Sequence, residues 1–423
     1  MKKLLALMLT LAMVLSLAAC GSSKKEEPAK NESAETQQET TETTPEADPL
    51  SDLKVGFICV YDINSGYDAA HILGLTEAAE NLGLDVDSQV TFKYNVPEDE
   101  TAYDMAVELA DDGCDIIFAT SYSHQSYMQQ AASEYPDTIF VSCTGDTAAN
   151  SGLDNFKNMF PYTHESRYVS GVVAGMKLKE LMDAGEVTDP YIGYVGAYPF
   201  AEVVSGYTAF FLGLRSIVPE AYMDVQYTNS WYDPIAETEA ANNMAARGCV
   251  IISQHSNGTA APSAVQALLD GGQTVYSVGY NIDMLEVAPT AALTSAQNNW
   301  TVLYQHMLDK FISGEEVPTD YACGIANNGV MISPLGESCA PGTQEKVDEV
   351  WAGLKDGSIQ VFATSTFTVN GETVTSAFGL DTDGDWVNDS GEAIVDGAFQ
   401  ECVLRSAPYF ALRIDGITEL NNN

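Results

Sequence analysis

The feature that most constrains this chain is that it writes one run of elements twice. KVGFICVYD, from Lys54, is answered by YIGYVGAYP, from Tyr191, and ILGLTEAAENLGL by SGYTAFFLGL, with Gly74 matched to Gly206 and Thr76 to Thr208. FKYNVPED, DGCDIIFATS and DTIFVSCTG then return in the same order as VQYTNSWYDP, RGCVIISQHS and QTVYSVGYN. Self-similarity over an ordered set of elements marks a repeated structural unit. Within each copy, short apolar runs alternate with stretches of helical periodicity. Strands that are apolar on both faces belong to parallel sheets covered on both sides by helices. The sequence therefore predicts an α/β chain of two similar doubly wound lobes.

Open parallel sheets bind their ligands at the loops beyond the carboxyl ends of the strands. Two like lobes turn those loops toward each other across a cleft. The first lobe then offers Asp62, Asn64, Tyr67, Ser121 and Tyr122, and the second Phe200, Glu202, Trp231, Asn257, Asp283 and Trp300. Aromatic faces from both sides stack on a flat ligand, while carboxylates and amides read ring nitrogens or hydroxyl groups. Chain crossings between lobes are placed at 160–163, 283–291 and 314–319. They divide the chain into a first lobe of 53–161 plus 283–316 and a second of 162–282 plus 317–362. Residues 363–423 are left as a β-rich extension packed on the second lobe.

The N-terminus reads as an export signal over residues 1–19. Lys2 and Lys3 precede the apolar run LLALMLTLAMVLSL, and Leu17-Ala18-Ala19-Cys20 closes it. The run is shorter than the roughly 18 residues a membrane span needs. Cys20 stands where a bacterial lipoprotein is cleaved and lipidated, which predicts a protein anchored at the extracytoplasmic face of a membrane. Residues 20–52 carry Glu, Thr, Ser, Gln and Pro with few large apolar side chains, the composition of a disordered tether. A formal charge of −42 over 423 residues repels phosphate backbones and excludes a nucleic-acid partner. Of eight cysteines, Cys20 is assigned to the anchor, so the remainder is odd and at least one thiol is unpaired. Cys59, Cys114, Cys143 and Cys249 fall in apolar strand patterns as small hydrophobes. Cys323 and Cys339 lie in a Gly/Pro-rich stretch where a bridge is one option.

Catalytic signatures are missing from the sequence. His71, His124, His164, His255 and His306 form no HExxH or HxH spacing, and the chain has no GxSxG elbow, Walker loop or GxGxxG fingerprint. His255, at a strand end, is the best candidate for a general base, with a hydrogen-bonded structural histidine the favoured reading. Residues 381–392, DTDGDWVNDSGE, place carboxylates at positions 1, 3, 5, 9 and 12 of a calcium loop. Position 6 of that loop needs glycine for its sharp turn, and here it is Trp386. A left-handed conformation there costs about 1 to 2 kcal/mol. An Asp/Gly-rich hairpin turn is the favoured reading, with a calcium loop the alternative, and no metal or cofactor is assigned.

Several of these stretches resemble the basic membrane protein family, the purine-nucleoside-receptor-like substrate-binding lipoproteins of ABC importers. They are KVGFICVYDINSGYDAAHILGLTEAAENLG, NVPEDE, GCDIIFATSY, ESRYVSGVVAG, IGYVGAYPFAEVVSGYTAFFLGLRSIVPEA, NSWYDP, QHSN and VGYNIDM, in order between about Leu53 and Phe362. The resemblance implies a type I periplasmic-binding-protein fold. It also implies capture of a purine nucleoside or nucleobase by a monomer that delivers it to ABC permease subunits. By position it makes Tyr67, Tyr122 and Phe200 stacking candidates, Asp62 and Asn257 contacts to the base, and Asp283 a contact to the ribose. The loop after the first strand is closer to the adenine-type branch. Another small ligand, such as a sugar or a signalling furanose, and an extracellular sensor for a membrane kinase stand as alternatives.

Overall fold

Runs such as Val55–Ile58 and Ile116–Ala119 are apolar and buried at every position, as strands between two helical layers must be. The computed structural model describes residues 50–385 and 387–421. In the first lobe the chain runs through β1 (Val55–Ile58), α1 (Gly66–Asn81), the single turn α2 (Val86–Gln89) and β2 (Val90–Lys93). It continues with α3 (Thr101–Asp111), β3 (Ile116–Ala119), α4 (Gln125–Glu134), β4 (Ile139–Ser142) and β5 (Phe156–Pro161). α5 (Thr163–Asp183) leads into the second lobe and its β6 (Tyr191–Gly196), α6 (Ala201–Arg215), β7 (Tyr222–Tyr227) and α7 (Pro234–Arg247). β8 (Ile251–Gln254), α8 (Ala260–Asp270), β9 (Tyr276–Tyr280) and β10 (Ala292–Asn298) follow. The chain returns with α9 (Trp300–Ile312) and β11 (Asp320–Cys323), then crosses once more to β12 (Val330–Ile332) and α10 (Thr343–Asp356).

The first sheet runs β11-β5-β4-β3-β1-β2, and the second runs β12-β10-β9-β8-β6-β7 with β17 (Ile417–Glu419) beside β7. Pairing within both sheets is parallel except between β10 and β12. Each lobe repeats one strand order, with its first strand between its second and third.

Two of the expected crossings lie elsewhere. β10 pairs with β9, Thr294 against Val278 and Ala296 against Tyr280, so residues 283–298 belong to the second lobe and the chain recrosses at Asn299. The apolar run AALTSA reads like any buried strand, and only its pairing with β9 assigns it a sheet. The last crossing falls beyond β11, in 324–329 and not in 314–319, because Asp320–Cys323 pairs with β5.

The matched glycines explain how α1 and α6 lie on their lobes. A Cβ at Gly74 would stand 2.6 Å from the Cβ of Trp300, and one at Gly206 would stand 2.6 Å from Nδ1 of His255. Gly74 therefore admits the backbone of α9 at Trp300 and Thr301, and Gly206 admits the ring of His255. Trp300 is 1% exposed and stacks on His71 with ring centres 3.7 Å apart. It belongs to the core of the first lobe and is not the cleft-facing tip that the sequence predicts.

Residues 363–421 form two small antiparallel pairs, β13 (Phe378–Leu380) with β14 (Ser390–Glu392) and β15 (Ile394–Val395) with β16 (Ala398–Phe399), before β17. Phe367, Phe399, Tyr409 and Phe410 are buried in the main apolar cluster of the second lobe, each such ring contributing about 1.5 to 3 kcal/mol. The extension also reaches the first lobe. Arg405 Nη1 stands 3.2 Å from Asp146 Oδ2, and the Ser406 amide donates to Asp320 Oδ2 at 3.0 Å. The sequence predicts packing on the second lobe alone, and the extension touches both.

Cys323 and Cys339 are both free thiols, as are Cys59, Cys114, Cys143, Cys249 and Cys402. Among the described residues no helix is long and apolar enough to cross a membrane. The signal, Cys20 and the tether to residue 49 lie outside the described residues.

Candidate functional site

The first loop of lobe one meets the loops after β7 and β8 of lobe two. The Gly66 amide donates to the carbonyl of Asn257 at 2.7 Å, and the rings of Tyr61 and Tyr232 face each other at 5.5 Å. Behind these contacts lies a chamber of about 30 Å³. Of the sequence candidates, Tyr67, Ser121, Tyr122, Glu202, Trp231 and Asn257 line it. Val60, Tyr61, Asp68, Thr120, Thr144, His255 and Tyr280 complete the wall.

Asp62, Asn64, Phe200 and Asp283 lie outside that wall. Asp62 accepts from the Asn64 amide at 2.9 Å and its side chain at 2.8 Å, bonds that hold its carboxyl below the usual range. Asp283 accepts from the Leu285 amide at 2.9 Å. Both acids close their own turns, the ordinary use of aspartate in a loop, and Asn64 is exposed. Phe200 precedes the first turn of α6 and lines a second chamber of about 430 Å³, which shares Tyr122, Thr144, Glu202 and Trp231 with the first.

In the first lobe, Ser65 begins α1 and accepts from the Asp68 amide at 3.5 Å. Asp68 is thereby set in the first helical turn, where the peptide dipoles favour an anion. It is 1% exposed, and neither carboxylate oxygen has a hydrogen-bond partner of ordinary geometry. Burial raises its pKa to about 6 in spite of Ser65, the Tyr61 amide and Thr120 nearby. Tyr67 donates to the Thr120 carbonyl at 2.9 Å and stands edge-on to His71 and Trp300. Tyr122 donates to Asp146 at 2.7 Å, and Ser121 to Glu98.

The second lobe places Glu202 in the first turn of α6, and burial raises its pKa to about 7. Its Oε1 lies 3.3 Å from His255 Nε2, and His255 Nδ1 lies 3.3 Å from the Tyr194 hydroxyl. Burial, with Arg167 nearby, holds the imidazole well below its usual pKa, so it is neutral. With Nε2–H donating to Glu202 and Nδ1 accepting from Tyr194, both nitrogens are engaged. His255 therefore orients the acid rather than acting as a base toward a ligand. Arg167 on α5 lies behind the pair, fully buried. It donates from Nη1 to the Gln254 carbonyl at 2.7 Å, and its guanidinium covers the Tyr280 ring at 3.5 Å. Its charge draws the Glu202 pKa downward against the burial. Gln254 Nε2 holds the following loop by donating to the carbonyls of Ser256 and Gly258 at 3.0 and 2.7 Å, and Asn281 donates to the Asn257 side chain at 3.3 Å.

Asp68, Arg167 and Tyr280 were not singled out from the sequence. An acid in a first turn reads as helix capping, and an arginine or tyrosine inside an element reads as its solvent face or core. The acidic stretch near the C-terminus gathers one oxygen each from Asp381, Asp383 and Asp385 within 4.8 Å. Their carboxylates accept from amides of the same turn, as Asp381 does from Gly384 at 2.8 Å. Glu392, twelfth in the calcium spacing, accepts from the amides of Ala377 and Ile394. It is therefore used in strand pairing, and Trp386 lies outside the described residues.

The model of the Bmp family, the PnrA-like substrate-binding proteins of ABC transporters, matches residues 54–362. A purine-binding protein of Brucella abortus (strain 2308) is 30% identical over 311 residues, covering 73% of this chain and 83% of that protein. A protein of Haloferax volcanii named as a candidate ABC transporter glucose-binding protein, TsgA13, is 30% identical over 253 residues, 60% of each chain. The solved structure of an ABC transporter solute-binding protein from Conexibacter woesei DSM 14684 aligns with a TM-score of 0.59 at 21% identity, over 73% of this chain and 98% of that one. That likeness speaks to the fold, two α/β lobes of the periplasmic-binding type around a cleft. The chain belongs to the Bmp family of PnrA-like ABC transporter substrate-binding proteins, which work outside the cytoplasm and pass a small molecule to a permease.

Proposed function

We propose that this protein captures a purine nucleoside or nucleobase between its lobes, as a lipid-anchored monomer that performs no chemistry on its ligand. The observation that carries this reading is that an acid from each lobe, the buried Asp68 and the partly exposed Glu202, stands on the wall of one aromatic chamber. The closed chamber of about 30 Å³ has room for water alone. A purine therefore enters with the lobes parted about their hinge and then offers flat faces to Tyr122, Trp231 and Tyr280, and N–H groups on its edge to the carboxylates. The Brucella relative, named for purine binding, supports the same ligand class. Cys20 would carry the lipid and residues 20–52 the tether. Trp231 beside carboxylates and Asn257 is also a surface that binds sugar hydroxyls, and the Haloferax relative is named for glucose.

Thermal melting of the purified protein against adenine, adenosine, guanosine and glucose tests the proposal. A ligand at 100 times its Kd stabilises the folded state by about 2.7 kcal/mol. A rise with a purine and none with glucose is expected. A rise with glucose alone would transfer the site to the sugar reading.

A further inference from the structure

We propose that the C-terminal extension, which lies beyond the family match at 54–362, completes the ligand site by building a second chamber for a large apolar or aromatic substituent carried by the purine. The inference rests on the purine reading of the first chamber. The second chamber has walls from three parts of the chain: Tyr122 from the first lobe, Phe200 and Trp231 from the second, and Phe378, Val387 and Leu412 from the extension. At about 430 Å³ it falls in the range of small-molecule pockets. It adjoins the first chamber, with Tyr122, Thr144, Glu202 and Trp231 common to the walls of both.

Phe200 is 49% exposed, Phe378 49% and Val387 61%, and all three face this one concavity. Large apolar side chains gathered in a concave place mark a surface that something covers. Adjacency to the purine chamber, across four residues common to both walls, assigns that cover to a substituent on the same ligand.

The charges of the chamber decide the chemistry of the substituent. Arg405 and Arg413 line it, but each stands against a carboxylate, Asp146 at 3.2 Å and Glu419 at 2.9 Å. Glu202 and Asp381 line it as well. A phosphate would meet guanidinium groups already neutralised and further carboxylates nearby, so the chamber disfavours nucleotides. A neutral benzyl- or alkyl-sized group meets aromatic faces instead.

Calorimetric titration of the full protein with adenosine, N6-benzyladenosine, 5′-S-benzyl-5′-thioadenosine and AMP reads the proposal. At least one benzyl derivative is expected to bind tenfold or more tightly than adenosine, with AMP the weakest. In Ala377→Trp and Ala411→Trp, each of which fills the chamber from the extension, that advantage should fall to about onefold. Adenosine binding and the unliganded melting temperature should stay as in the wild type, which separates a filled chamber from a misfolded one. Adenosine binding with no gain from either benzyl group would overturn the inference and leave the purine reading intact, as would a gain that survives both substitutions. Binding of no purine at all would overturn both.

Discussion

The two walls of the inner chamber are built on one plan and charged in different ways. In each lobe an acid stands in the first turn of the helix after the first strand, Asp68 in α1 and Glu202 in α6. Glu202 has a neutral histidine hydrogen-bonded to it and a buried arginine behind it. Asp68 has no hydrogen-bond partner of ordinary geometry on either oxygen. A duplicated scaffold thus fixes where an acid stands, while its neighbours decide what holds its charge. The lobe-two acid is supported from within the protein. The lobe-one acid has only Ser65, the Tyr61 amide and Thr120 nearby, and on the proposed reading a ligand satisfies it.

The most direct way to break this contrast lies in binding. Asp68→Asn removes the charged acceptor for a ligand N–H, and a hydrogen bond to a charged group is worth about 2 kcal/mol, roughly 30-fold in affinity. Purine affinity is expected to fall by that amount in a titration. An unchanged affinity would put Asp68 outside the ligand's reach.

A comparable effect of opposite sign is expected in the unliganded protein. Burial raises Asp68 from 3.8 to about 6 and Glu202 from 4.5 to about 7. The folded state therefore holds these protons more tightly than the unfolded state. The buried His71, His164 and His255, held neutral, cost stability as pH falls below about 6.5. The contribution of the two acids is full below about pH 4, declines as pH rises through 6 and 7, and is flat above. Glu165, Glu237 and Glu401, each also raised to about 7 by burial, add to the same decline. Asp68→Asn should remove the part of the decline that ends near pH 6 and raise stability at pH 8 by about 3 kcal/mol. Denaturant melts at pH 4.5, 6 and 8 check this, and parallel curves for variant and wild type would contradict it.

The smallest effect sharpens the contrast from the other wall. Arg167→Met removes the cation that favours ionised Glu202, so its stability cost should be about 1 kcal/mol greater at pH 8 than at pH 5. Carrying the same change in an Asp68→Asn background should leave the difference unaltered, because Arg167 acts on one acid. A pH-independent cost would mean that the arginine serves packing on Tyr280 alone.

How much of this was legible in the sequence follows from what repetition encodes. The duplication carried the two lobes, their parallel sheets and the loops that meet. It did not carry the crossing at Asn299, because a strand such as Ala292–Asn298 is written alike for either sheet and its partner is a tertiary choice. Loop tips at the ends of β3, β7 and β8 placed Tyr122, Trp231 and Asn257 on the chamber wall. The same reasoning put Asp62 and Asp283 there, yet each is spent on its own turn. Asp68 and Arg167 stayed hidden inside helices, where burial rather than residue type makes them unusual. The extension's contact with the first lobe rests on a few polar groups around Arg405 and Ser406, which no periodicity signals.

Isothermal titration of the wild type and Asp68→Asn with adenosine at pH 7.5 tests the central claim most directly. One molecule bound per chain in the wild type, with affinity about 30-fold weaker in the variant, is the expected result. No saturable heat in the wild type, or equal affinities in the two proteins, would contradict a purine held between the acids of the two lobes.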